Sequence, residues 1–158
     1  MPLQIAVDPG KEGAGSMSVA LQSRLVAHML EAALDASHDL GARVAFAVVD
    51  AAGNLAGFIR HEDAFLASSD LAIDKAWTAA SFGMGTREFS QMLETTPRAV
   101  RDGLLRRPRV TEVPGGMVFQ IDGRSAGAVG VSGGSETQDE AIATAALKAA
   151  AQVEFEEK

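Results

Sequence analysis

The stretch Gly127-Ala-Val-Gly-Val-Ser-Gly-Gly-Ser-Glu-Thr-Gln-Asp-Glu140 decides the fold class. Residues 126–131 are uniformly small and apolar, as in a strand buried on both faces and placed centrally in a sheet. Gly133-Gly134 then turn the chain. Ser135-Glu-Thr-Gln138 has the Ser-x-x-Gln form of a capping box, and Asp139 and Glu140 put negative charge at the N-terminal end of the helix dipole. A glycine turn opening on a helix N-terminus can cradle an anion. Two acidic residues in that first turn repel one, and the glycine spacing is no dinucleotide fingerprint without a βαβ unit. The glycines are therefore read as close packing of strand against helix.

Upstream, Asp122-Gly123 is a two-residue hairpin turn of the strongest kind, joining a strand over 117–121 to the strand just described. Residues 109–113 read as one more strand, linked through Pro114-Gly-Gly116. That turn has exposed amides and two readings, a tight hairpin or a pocket wall where a ligand approaches the main chain. Residues 44–49 and 55–60 make an antiparallel pair around Asp50-Ala-Ala-Gly-Asn54. Helices are predicted over 18–40, capped by Ser16 or Ser18 and closed by Gly41, and over 68–82 and 84–93. A short turn follows over 98–105, beyond Pro97, and a final alanine-rich helix covers 137–154. No strand–helix alternation of a parallel sheet is present. The fold class is α/β in the α+β sense: one antiparallel sheet of five strands covered by helices. Residues 1–16 read as a loosely ordered leader in which Leu3, Ile5 and Val7 alternate like a short strand; residues 17–158 read as a single domain.

Composition narrows the function. The net charge is −7 and no basic face is evident, which argues against nucleic acid as a partner. The one basic cluster, Arg98, Arg101, Arg106, Arg107 and Arg109, reads as solvated surface or as a local anion site. No apolar run approaches the roughly 20 residues that span a bilayer, so no membrane partner is expected. There is no cysteine. That removes disulfides, thiolate metal sites and a cysteine nucleophile, and it fits a cytoplasmic setting. No two histidines stand three or four apart, so no zinc helix motif exists and no metal site is assigned.

The residues left for chemistry are few. His28 falls on the apolar stripe predicted for the first helix (Leu21, Leu25, His28, Ala32), where it is either packed or a ligand to a cofactor. His38 serves its helix C-terminus. Arg60 ends a strand that otherwise looks buried. His61, Glu62 and Asp63 follow it in a loop, where His61 can act as a base or an axial ligand. Lys75 shares a helical face with Leu71 and Thr78, and it either snorkels or binds an anion in a cleft. Arg60 and Lys75 together suit a carboxylate or a propionate. Thr78, Gly115 and Gly116 complete the candidate ligand-binding set.

Several motifs, in this order and spacing, make the chain resemble the GlcG/HbpS family, which also supplies the C-terminal domain of PduO-type proteins. They are Ala47-Val-Val-Asp-Ala-Ala-Gly-Asn-Leu55, Arg60, Lys75-Ala-Trp-Thr-Ala-Ala80 with Phe82 and Thr86, Pro114-Gly-Gly116, Gly127-Ala-Val-Gly-Val-Ser-Gly-Gly134 and Gln138-Asp-Glu-Ala-Ile-Ala143. The resemblance covers about residues 18–155. It implies a profilin-like three-layer α/β/α fold with a five-stranded antiparallel sheet, homo-oligomers, and in some members haem binding with redox-sensing or haem-degrading roles. Other members serve cobalamin-related proteins. The family commonly reads Arg-Met-Asp-Gly-Ala where this chain has Arg60-His-Glu-Asp-Ala64. Two expectations follow. One is an oligomeric binder of haem or a related tetrapyrrole, with His28 or His61 axial and Arg60 and Lys75 on propionates. The other is a metal-independent isomerase, lyase or hydrolase acting on a small organic acid. There Arg60 and Lys75 bind the carboxylate and His61, Glu62 or Asp63 moves the proton.

Overall fold

The computed structural model describes residues 3–5, as backbone, and 19–153. Ser16, Ser18 and the leader apart from residues 3–5 lie outside these residues, but the first helix begins at Ser23 with Gln22 at its cap position, not at 18 as expected. The elements run β1 (Leu3–Ile5), α1 (Ser23–Asp39), β2 (Ala45–Asp50), β3 (Leu55–Arg60), α2 (Leu66–Phe82), α3 (Thr86–Glu94), α4 (Arg98–Leu105), β4 (Gly116–Ile121), β5 (Arg124–Ser132) and α5 (Glu136–Ala151). The sheet order is β1-β4-β5-β2-β3, which puts the small apolar strand β5 in the middle.

The expected five-stranded antiparallel sheet needs correction. Its antiparallel part has four strands, β4, β5, β2 and β3, and β1 adds parallel to the edge of β4. The segment 109–113 alternates like a strand but is not one. Thr78 on α2 takes its backbone groups instead, donating from Oγ1 to the Arg109 carbonyl (2.9 Å) and accepting the Thr111 N–H (3.1 Å). Arg109 also sits at φ 73°, in the left-handed region, so the chain cannot run on as a ladder there. Its guanidinium stacks 4.8 Å from the Trp77 ring centroid.

Side-chain alternation divides the core into two layers. Phe46 and Val48 of β2, Val129 and Val131 of β5, and Phe119 of β4 pack under α1 and α5. Ala45, Ala47 and Val49 of β2 and Ala128 of β5 face α2, which answers with Ala72, Ala76 and Ala79. This second interface is almost entirely alanine, so helix and sheet approach closely. Gly130 is the limit of that approach, since a Cβ there would run into the Ala72 carbonyl and lie 2.6 Å from the Ala76 nitrogen. The turns follow their sequence signals. Asp122 and Gly123 take φ 57° and 72°, the values of a type I′ turn. The Asp50 carboxylate accepts the Ala52 and Asn54 N–H groups at 2.9 Å and shapes the β2–β3 hairpin. The capping box of α5 forms, with the Ser135 hydroxyl accepting from the Gln138 N–H and the Gln138 side chain accepting from that of Ser135.

Candidate functional site

Lys75 sits at the centre of the α2 face that meets the sheet, 1% exposed. A charge so placed needs partners, because an unpaired buried ion is very costly. It has two: Nζ donates to the Val131 carbonyl at 2.6 Å and to Asp139 Oδ2 at 3.1 Å. Asp139 is itself buried, and its Oδ1 accepts the Gly134 N–H at 2.9 Å. One ion pair thus ties α2 to β5, to the glycine turn and to α5. Burial is the main influence on both groups: it lowers the lysine below its ordinary pKa and raises the aspartate above its own. Their mutual attraction opposes both shifts.

The Pro114-Gly-Gly116 turn closes over this pair. Gly115 holds φ 124°, and a Cβ there would lie 2.6 Å from the Val131 carbonyl and 3.0 Å from Lys75 Nζ. A Cβ at Gly116 would lie 2.5 Å from the Lys75 carbonyl and 2.7 Å from the Thr86 methyl carbon. The Gly116 N–H donates to Thr86 Oγ1 at 2.9 Å. The turn is not a hairpin between strands, since no strand precedes β4, while Gly116 does border a cleft between α3 and α5. What approaches the main chain here is the protein's own lysine and threonine. Thr78 is likewise committed, to Arg109 and Thr111.

Arg60 lies elsewhere, exposed at the end of β3, where NH1 donates at 3.2–3.4 Å to the carbonyls of His61, Glu62 and Ala64. It braces the loop that follows it. In that loop His61 Nδ1 accepts the Asp63 N–H at 3.0 Å, while Glu62 and Asp63 are exposed. The structure therefore does not assemble an Arg60–Lys75 carboxylate clamp: one cation is neutralised inside, and the other is spent on backbone carbonyls outside. His28 also moves. The buried stripe of α1 is Leu25, Val26, Met29, Ala33 and Ser37, so His28 turns to the exposed side. Met29, not His28, continues the four-residue step. The arginine cluster is engaged in part with acids, Arg98 with Asp102, Arg101 with Glu112 and Arg109 with Asp74. Among the described residues no group of three His, Asp or Glu could hold a metal ion, and no helix is long and apolar enough to cross a membrane.

Asp139 carries a signal of its burial in the sequence. It reads as a first-turn acid, yet Asp139, Ile142, Ala143, Ala146 and Ala150 fall at i, i+3, i+4, i+7 and i+11, and all are buried. That spacing marks it as facing inward.

These features define an α+β domain with helices on both sides of a central sheet and a sealed ionic junction across it. Comparison with known proteins narrows this class. The model of the family described as haem degrading protein HbpS-like matches residues 21–148, and the chain belongs to that family. It is 36% identical over 133 residues to the corrinoid adenosyltransferase PduO of Salmonella typhimurium, covering 83% of this chain and 39% of PduO. The chain thus spans about two fifths of that relative. Among solved structures, protein ORFY of Klebsiella pneumoniae superimposes with a TM-score of 0.80 at 27% identity, covering 93% of this chain and all of that one. A complex of PduOC with haem superimposes with a TM-score of 0.77 at 34% identity, covering 83% of this chain and 95% of that one.

Proposed function

We propose that this chain binds haem or a related tetrapyrrole as a small-molecule-binding member of its family, with homo-oligomeric assembly and a cytoplasmic setting as parts of the same reading. The observation that carries it is the likeness to PduOC, a 34% identical domain solved with haem bound. Of the two candidate axial ligands, the geometry favours His28. A neutral His61 that accepts the Asp63 N–H at Nδ1 carries its proton on Nε2, which leaves no lone pair there for iron. Ligation through Nε2 would require the other tautomer and the loss of that hydrogen bond. His28 stands exposed on α1 and has no such commitment in the loop. Lys75 is withdrawn from the propionate role by Asp139, and Arg60 keeps it only by releasing the carbonyls it braces.

Haemin titration followed in the Soret region tests this. A saturable shift near stoichiometry is expected. It should be lost in His28→Ala and retained in His61→Ala. No spectral change at stoichiometric haemin would sink the reading, and loss in His61→Ala alone would transfer the axial role to the loop. The organic-acid enzyme has less support, because its two carboxylate-binding cations are not brought to one place. Its acid/base trio still shares one exposed loop, and turnover of a carboxylate substrate abolished by His61→Ala is the result that would revive it.

A further inference from the structure

The uncovered end of β4 borders a cleft of about 310 Å³ between α3 and α5. β1 lies beside β4 only at Phe119–Ile121, so among the described residues no strand covers the edge at 116–118. Met117, Val118 and Leu147 give the cleft apolar surface, and Gln91 and Thr144 add polar groups. Its charged residues are Arg87, Glu88 and Glu140, and Arg87 holds Glu140 side-on: Nε donates to Oε1 at 2.8 Å and to Oε2 at 3.1 Å, and NH2 donates to Oε1 at 2.7 Å. Arg87 NH2 also reaches Glu136 Oε2 at 3.2 Å. These bonds hold the arginine above its ordinary pKa, the Glu140 hydrogen bond first among the causes.

Glu136 and Glu140 share one guanidinium and Glu88 lines the same cleft, so the acids here outnumber the one cation. An incoming carboxylate would have to displace Glu140 from Arg87 and then remain beside both glutamates. A protonated amine meets the opposite field, and it can take the carboxylate lone pairs that Arg87 leaves open. We infer that the cleft between α3, β4 and α5 is a ligand site for a small organic cation, an apolar body carrying one protonated amine. It is separate from the haem reading, which concerns α1 and the loop after β3.

The test uses the whole chain with benzylammonium and benzoate as probes, followed by NMR shifts at Val118, Thr144 and Leu147. Benzylammonium is expected to give saturable shifts that weaken with added salt, and benzoate none. Glu140→Gln should weaken benzylammonium roughly tenfold, the scale of one charge-assisted hydrogen bond. Gln91→Glu, an exposed change that leaves the core untouched, should tighten it severalfold. Benzoate shifting these residues while benzylammonium is silent would overturn the proposal, as would saturable shifts from neither probe. So would a haemin Soret change that disappears in Glu140→Gln, because the cleft would then be the tetrapyrrole site.

Discussion

Lys75 and Arg60 look alike in the sequence, each a lone cation among apolar neighbours, and the fold uses them in opposite ways. Lys75 is drawn inside, and its charge is met by Asp139 from 64 positions downstream. Arg60 stays at the surface and, among the described residues, bonds to carbonyls within four positions of itself. The first is a long-range tie whose loss leaves a buried charge; the second is a local brace in water. A cation therefore binds a ligand only if the fold has not already supplied its anion. Apparent availability in a sequence does not distinguish the two cases.

The contrast is broken most severely at Asp139. Asp139→Asn should cost about 3–5 kcal/mol in chemical denaturation, because it strands the Lys75 ammonium in the core. The same variant should show a characteristic pH dependence. Burial already holds Lys75 below the ordinary 10.5, and without Asp139 the first-ranked opposing influence is gone, leaving Glu136 and Glu140. The folded chain then releases that proton at lower pH than the unfolded chain does. The unfolded state binds more protons, and stability rises with pH from neutrality towards 10.5. Denaturation midpoints at pH 7 and pH 9 check this, and a flat profile would show the lysine had found another anion. Replacing both partners by apolar residues, Lys75→Met with Asp139→Leu, should recover most of the loss and bring stability within about 2 kcal/mol of the parent. If the double variant is as unstable as Asp139→Asn, the junction works through shape rather than charge.

Thr78→Val comes next. It leaves the Arg109 carbonyl and the Thr111 N–H without their partner, at about 1–3 kcal/mol, and should hasten tryptic cleavage after Arg106 and Arg109. The smallest effect is expected at the other pole. Arg60→Ala removes bonds of 3.2–3.4 Å, two exposed and one part-buried, and should cost under about 1 kcal/mol in the same denaturation assay. A loss of 3 kcal/mol there would erase the distinction between the two cations.

Local signals were legible wherever a few adjacent residues settle the outcome. The Ser135–Gln138 capping box, the Asp122-Gly123 turn and the β2–β3 hairpin all depend on backbone conformations and hydrogen bonds within about five residues. The central place of β5 was legible too, because small apolar residues throughout leave a strand no wet face. The failures occur where a distant element competes. Residues 109–113 carry a strand pattern, but Thr78, about thirty positions upstream, claims their backbone groups. His28 falls on a plausible stripe that is one residue out of register with the face α1 buries. The candidate site divided in the same way. Lys75 and the Pro114-Gly-Gly116 turn stand out in the sequence, where their pattern suggests parts of a ligand pocket. Asp139, the partner that explains both, has the sequence position of a helix-end charge.

The sequence by itself determined the longer helices, the Asp50–Asn54 and Asp122-Gly123 hairpins, the middle strand and the family to which the chain belongs, since these rest on short-range propensities and on a specific order of motifs; over 98–105 it suggests only a short turn, where helix α4 forms. Only the tertiary structure decided which charges are spent. The energy of a buried ion depends on whether an opposite charge and a set of dipoles surround it, and chain folding brings those together from positions whose spacing in sequence carries no trace of the meeting.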